Sequence, residues 1–142
     1  IAEEVIDYAG EGYTGMAFVA TGGNFPDAIA AAPLAAANYV PLFLADPKTG
    51  LSNATKAAMA GVSEVAVLGG VAVVSDKVFE GLEDTHGAEN VTRLAGKNRY
   101  STAVEIATFG VVEFGMMWDG VGIATGENFP DALAGGVPQG YN

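Results

Sequence analysis

The octapeptide Thr21-Gly22-Gly23-Asn24-Phe25-Pro26-Asp27-Ala28 recurs 104 residues later as Thr125-Gly126-Glu127-Asn128-Phe129-Pro130-Asp131-Ala132. The copies differ only at Gly23 against Glu127. Upstream, Ile1-Ala2 returns as Ile106-Ala107, 105 residues on, so one residue has been gained or lost in between. Around both copies the expected order is helix, strand, motif, helix. A repeat of this length is a small domain and not a thin solenoid rung.

The elements follow from spacing and punctuation. Ile1, Val5 and Ala9 share one face of a helix that Gly10-Glu11-Gly12 ends. Met16–Ala20 is short and wholly apolar, as a buried strand is. Thr21 to Phe25 is a turn, and Pro26 opens a helix running towards Asn38, with Pro33 kinking it or removing a hydrogen bond. Val40–Ala45 is the next strand. Ser52 caps a helix to Ala60. Val65–Leu68 is a strand closed by Gly69-Gly70, and Ser75 caps a helix to about Asp84. A short strand at Val91–Leu94, a longer helix at Tyr100–Phe114, a strand at Val121–Ala124 and a helix from Pro130 complete the series. The β-α alternation predicts a parallel sheet covered by helices.

Half the residues are hydrophobic and only 16% are charged, so much of the chain must be buried. The net charge of −11, from 17 acidic and 6 basic residues, argues against nucleic acid and against an anionic membrane surface. No apolar run is long enough to span a bilayer. The absence of cysteine excludes disulfides, thiolate metal sites and cysteine nucleophiles. The chain starts inside a helix at Ile1 and stops at Asn142 soon after the second motif opens a helix, so both ends read as cut from something longer.

The repeat predicts two parts. Residues 1–89 form the later part of one unit, and residues 90–142 form the beginning of the next, truncated. Together they hold each element once in permuted order, plus an overlap from Ile106 onwards. The leading segment that the first unit lacks is filled either by the chain's own Arg93–Glu105 stretch or by another molecule, as a domain swap.

Four ordered motifs carry a family resemblance. They are Arg93-Leu94-Ala95-Gly96 with Asn98-Arg99-Tyr100 and Thr102-Ala103; the octapeptide in both copies; Pro41-Leu42-Phe43-Leu44; and Val67-Leu68-Gly69-Gly70 followed by Ala72-Val73-Val74-Ser75. Along nearly its whole length the sequence resembles the cell wall binding repeat type 2 family of Gram-positive surface proteins. The resemblance implies a compact α/β unit, a small parallel-sheet Rossmann/Toprim-like layered fold with helices on both faces. It also implies an extracellular module that anchors exported proteins noncovalently to an anionic secondary cell-wall polysaccharide, without catalysis. Such repeats come in threes about a pseudo-threefold axis, so neighbouring repeats or a homo-oligomer are the implied partners.

Two stretches are candidate contact sites. The octapeptide lies between a strand and a helix, where α/β folds bind ligands and where a helix N-terminus favours anions. Asn24, Asp27, Asn128 and Asp131 are its polar side chains. The alternative is a strand-to-helix joint, with glycine supplying unusual dihedrals, Asn24 and Asp27 capping, and Phe25 stapling. Arg93, Lys97 and Arg99 gather half of the basic residues within seven positions, flanked by Asn98 and Tyr100. They suit phosphate or carboxylate groups of a polymer, or equally salt bridges between repeats.

No catalytic constellation stands out. Asp27 and Asp131 are equivalent positions in successive repeats, so duplication explains the pair without glycoside hydrolysis. His86 is the only histidine and cannot by itself make a zinc site; it reads as a solvent-exposed helix end. Nothing calls for a metal or other cofactor. Two further function classes remain: a structural or oligomerising repeat without a wall ligand, and a metal- or nucleotide-dependent enzyme.

Overall fold

The apolar run from Met16 becomes the inner strand of a four-stranded sheet. In the computed structural model, which describes residues 1–141, the elements are α1 (Ala2–Ala9), β1 (Met16–Thr21), α2 (Pro26–Ala30), α3 (Ala32–Asn38), β2 (Leu42–Ala45), α4 (Asn53–Ala58), β3 (Glu64–Leu68), α5 (Asp76–His86), β4 (Val91–Leu94), α6 (Arg99–Phe114) and α7 (Pro130–Gly140). The strand order is β2-β1-β3-β4 and every pairing is parallel. Phe18 stands level with Leu42 on one side and Ala66 on the other.

Strand alternation divides the core into two layers. Ala17, Val19, Val65, Val67 and Val91 face one way, onto Met59, Val74 and Leu82. Phe18, Ala20, Ala66, Leu68 and Leu94 face the other way, onto Ala31, Leu34 and Ile106. Helices α4 and α5 therefore cover the first face, and α2, α3 and α6 the second. Fully burying one such side chain contributes about 1.5–3 kcal/mol, so the inner strands are the main source of hydrophobic stabilisation. The layered α/β unit expected from the sequence is present.

Local chemistry sets most helix ends. Asn98 starts α6 with a reciprocal capping box: its side chain accepts from the N–H of Tyr100 and Ser101, while Ser101 Oγ accepts from the N–H of Asn98. Ser52 Oγ accepts the N–H of Thr55 at 3.0 Å. Ser75 holds the expected cap position with extended backbone, but its side chain makes no capping hydrogen bond. Pro33 splits the long expected helix into α2 and α3, with Ala31 between them.

Within this chain the Arg93–Glu105 stretch lies beside the first unit. β4 pairs with β3, and Ile106 of α6 is fully buried in the second layer. The equivalent residue Ile1 is exposed. α1 instead rests Ala2 against the first layer.

One expected element is corrected. Residues 121–124 are not a strand. They align with Ala17–Ala20, and the slot between β2 and β3 is filled by that first copy. A strand forms only where neighbours satisfy its N–H and C=O groups. Ile123 is accordingly 96% exposed where its counterpart Val19 is fully buried. Phe18, the largest side chain of the inner strand, has Gly122 as its counterpart. The helix after the second motif forms regardless, and α7 lies tightly on α3. A Cβ on Gly136 would come within 2.8 Å of Ala32 Cβ, and one on Gly140 would strike the carbonyl of Pro33.

Candidate functional site

The winding reverses between β1 and β3: β1 leads outward to β2, and the chain then crosses back to β3 and on to β4. Loops at the carboxyl ends of two such strands diverge and leave a crevice, the usual ligand position in open parallel sheets. Here the crevice is bounded by Thr21–Phe25 after β1 and Gly69-Gly70 after β3. Gly22 N donates to Ala45 O at 2.7 Å and Gly69 N to Leu94 O at 2.9 Å, so each loop leaves on its neighbour's last carbonyl.

Asp27, at the start of α2, closes the crevice. Its carboxylate lies against Gly69, where a Cβ would collide with Asp27 Oδ2 and where φ is +99°. Glycine is required there on both counts. Burial pushes the Asp27 carboxyl above its ordinary value, while the Arg99 guanidinium draws it back.

The octapeptide folds the same way in both copies. Thr21 Oγ1 accepts the N–H of Gly23 at 3.1 Å, and Thr125 Oγ1 accepts that of Glu127 at 3.3 Å. Ile29 N donates to Phe25 O at 3.0 Å and Leu133 N to Phe129 O at 2.8 Å. The copies also touch: the Phe25 and Phe129 rings meet edge to face, centroids 5.5 Å apart.

The leading signature docks on the second copy. Arg99 donates through Nη1 to the carbonyl of Gly126. A Cβ on Gly126 would meet the Tyr100 ring at 2.5 Å and Arg99 Cδ at 3.2 Å, so only glycine lets the loop approach. Between α2, α3, α6 and residues 116–139 runs a groove of about 460 Å³, within the size range of small-molecule sites. Arg99, Tyr100, Asn128 and Asp131 line it, with Phe25, Met116, Trp118 and Gln139. The structure thus brings together four of the residues singled out from the sequence.

The others are placed elsewhere. Lys97 is exposed in the turn before α6. Asn98 is spent on its capping box, and exposed Asn24 accepts the N–H of Phe25 at 2.9 Å. Arg93 faces away from the groove, towards α5. It donates to Gly69 O at 3.0 Å and Val74 O at 2.8 Å, pairs with Asp76 at 3.3 Å and covers the Phe79 ring at 4.6 Å. His86 is only partly exposed; its Nδ1 lies 3.1 Å from Val62 O, and since a carbonyl only accepts, that nitrogen carries the proton. Sequence reasoning missed Gln139. Its Nε2 donates to Gly120 O at 2.5 Å and fastens the loop over the groove, a contact with no local sequence signal.

A doubly wound α/β unit, duplicated in part, with two signature motifs meeting over one groove, defines a repeat-built recognition module. Its sequence matches the model for Cell wall binding domain 2 (CWB2) over residues 1–79 and 93–142. The chain belongs to that family, as the resemblance implied, and is a cell wall binding module. It is 31% identical over 126 residues to N-acetylmuramoyl-L-alanine amidase LytC of Bacillus subtilis strain 168, covering 87% of this chain and 23% of that protein. Among solved structures it is similar to Cwp8 from Clostridium difficile, with TM-score 0.71 and 25% identity, covering 89% of this chain and 21% of that one. Cwp6 from Clostridium difficile matches with TM-score 0.63 and 26% identity, covering 78% of this chain and 17% of that one. The chain spans about a quarter or less of each. Among the described residues no helix is long and apolar enough to cross a membrane.

Proposed function

We propose that this chain is a noncatalytic anchoring module that holds an exported protein at the cell surface by binding an anionic secondary wall polysaccharide. The observation that carries the reading is the groove at Arg99, where the leading signature meets the second octapeptide. Arg99 is exposed, and its guanidinium has five N–H donors, of which the Gly126 carbonyl takes only part. The Tyr100 ring is half-exposed beside it, and Asn128 offers an amide. A cation, an aromatic face and an amide in one groove suit an acidic sugar chain. In this reading Arg93, Asn98, Asn24 and Asp27 build the site's frame, and Asp131 orients hydroxyl groups.

The test is sedimentation of the purified protein with Gram-positive walls before and after removal of secondary polymers. Retention only on intact walls, reduced at least about tenfold by Arg99→Ala, supports the proposal. Equal retention on stripped walls, or no effect of Arg99→Ala, sinks it.

A second reading is favoured by one specific observation. Residues 121–124 are a β1 equivalent without a sheet, and they share the groove with exposed Trp118. Residues 1–89 and 90–142 then act as parts of successive units, and this surface meets a neighbouring repeat or a second copy, with strand exchange as one route. Like-on-like packing of Phe25 on Phe129 is the kind of contact that a pseudosymmetry axis produces. Solution mass decides it: a concentration-independent monomer rules out self-association of this chain.

A further inference from the structure

The sequence has one linear cluster of basic residues, Arg93, Lys97 and Arg99. The fold assembles another from the remaining three. Lys48 in the loop after β2, Lys56 on α4 and Lys77 on α5 lie 8 and 21 residues apart in sequence, yet all line one cavity between α4 and α5. His86, Ser75 and Thr49 line it with them. On a chain of net charge −11, not one Asp or Glu is among the lining residues.

These cations also have no internal counter-charge. Among the described residues no carboxylate lies within salt-bridge distance of Lys48, Lys56 or Lys77; the ion pair formed is that of Arg93 with Asp76. The loop's own carboxylate, Asp46, accepts the backbone N–H groups of Lys48 and Thr49 at 2.8 Å each. The Ser75 hydroxyl makes no capping bond, so it is available as a donor. With Nδ1–H of His86 turned to Val62 O, Nε2 faces a ligand, and it donates to an oxyanion only when the ring is the imidazolium.

The cavity measures about 140 Å³. That is well under the roughly 300–1,000 Å³ of sites that enclose whole small molecules. It suits one compact charged group. We propose that this cavity is a second binding site, for a single phosphate-type oxyanion held by Lys48, Lys56 and Lys77 with Ser75 and His86. It lies on the α4–α5 face of the sheet, whereas the Arg99 groove lies on the α2–α6 face. Ammonium groups bind such an ion as point charges through charge-assisted hydrogen bonds, and hydroxyls fix its oxygens. The ion is either free phosphate or the phosphate of a phosphodiester polymer.

The experiment is an NMR titration of the intact chain with inorganic phosphate at fixed ionic strength, using chloride as control. Saturable shifts confined to Gly50, Leu51, Ser75, Lys77 and the His86 ring are expected. The triple variant Lys48→Gln/Lys56→Gln/Lys77→Gln weakens the fitted affinity at least about tenfold, with an unchanged circular dichroism spectrum. The Arg99→Ala protein keeps the same affinity, which separates this site from the wall-binding proposal. A parallel titration with dimethyl phosphate identifies the source: binding equal to that of inorganic phosphate marks a polymer phosphodiester, and much weaker binding marks the free ion. Linear shifts, shifts spread over all surface cations, or an unaltered triple variant overturn the proposal.

Discussion

Replacing Arg93 by alanine separates a frame residue from a ligand contact. The side chain makes two charge-assisted hydrogen bonds, to Gly69 O and Val74 O. Such bonds are worth about 1.5–3 kcal/mol each, and two sharing one group add less than twice that. The Phe79 ring under the guanidinium contributes about 0.5–1 kcal/mol. The ion pair adds under about 0.5 kcal/mol, because the Asp76 side chain is 66% exposed. The loss for Arg93→Ala is then about 3 kcal/mol. With two-state unfolding and a urea slope of about 2 kcal/mol/M, the midpoint falls by about 1.5 M at constant slope. Arg93→Lys should recover part of this, since one ammonium reaches fewer acceptors than a fork. Arg99→Ala, at an exposed site with one bond to Gly126, should cost under about 1 kcal/mol. Urea unfolding followed by circular dichroism measures all three. If Arg93→Ala lies within about 1 kcal/mol of the parent protein, Arg93 is not a frame residue and is again a candidate ligand contact.

Three further outcomes follow from the geometry. Asn98→Ala removes a capping box and should cost about 0.5–2 kcal/mol in the same urea assay, with no change in the groove's lining. Asp27 titrates above its unfolded value because it is buried, so the folded state binds more protons and stability falls as pH rises from the unfolded carboxylate pKa through the raised folded one; Asp27→Asn should flatten that slope, and Arg99→Gln should move the Asp27 carboxyl carbon titration higher still. Amide exchange should be fast at residues 121–124 and slow at 17–20 although the two segments are repeat equivalents; equal protection would mean that the second copy is paired in solution.

What could be read in the sequence was what neighbours along the chain decide. Both octapeptides make the same turn and open the same helix, because Thr–N–H bonding and a proline at the first helical position need no distant partner. The stop at Pro33, the cap at Ser52 and the apolar strands at Met16 and Val65 were legible for the same reason. The strand at 121–124 was misread because apolar character reports a wish for burial, and only the rest of the sheet decides whether a slot exists. Arg93 and Arg99 looked alike six residues apart, yet the strand points one to α5 and the helix start leaves the other at the groove. Grouping by sequence distance also hid the lysines, which meet only when α4 and α5 cover the same face.

The exchange of Phe18 for Gly122 bears on how tandem copies find their own partners. Successive repeats this similar could trade inner strands during folding, the usual hazard for neighbouring duplicates. A chain that placed Val121–Thr125 between β2 and β3 of the first unit would leave an empty volume the size of a phenyl ring against Leu34 and Ile106. Phenylalanine-to-small changes in cores cost about 3–5 kcal/mol, which biases the choice by about two to three and a half powers of ten towards the proper strand. One residue therefore serves as an address label, reserving the slot between β2 and β3 for the first copy of the strand while the surrounding motif stays nearly invariant.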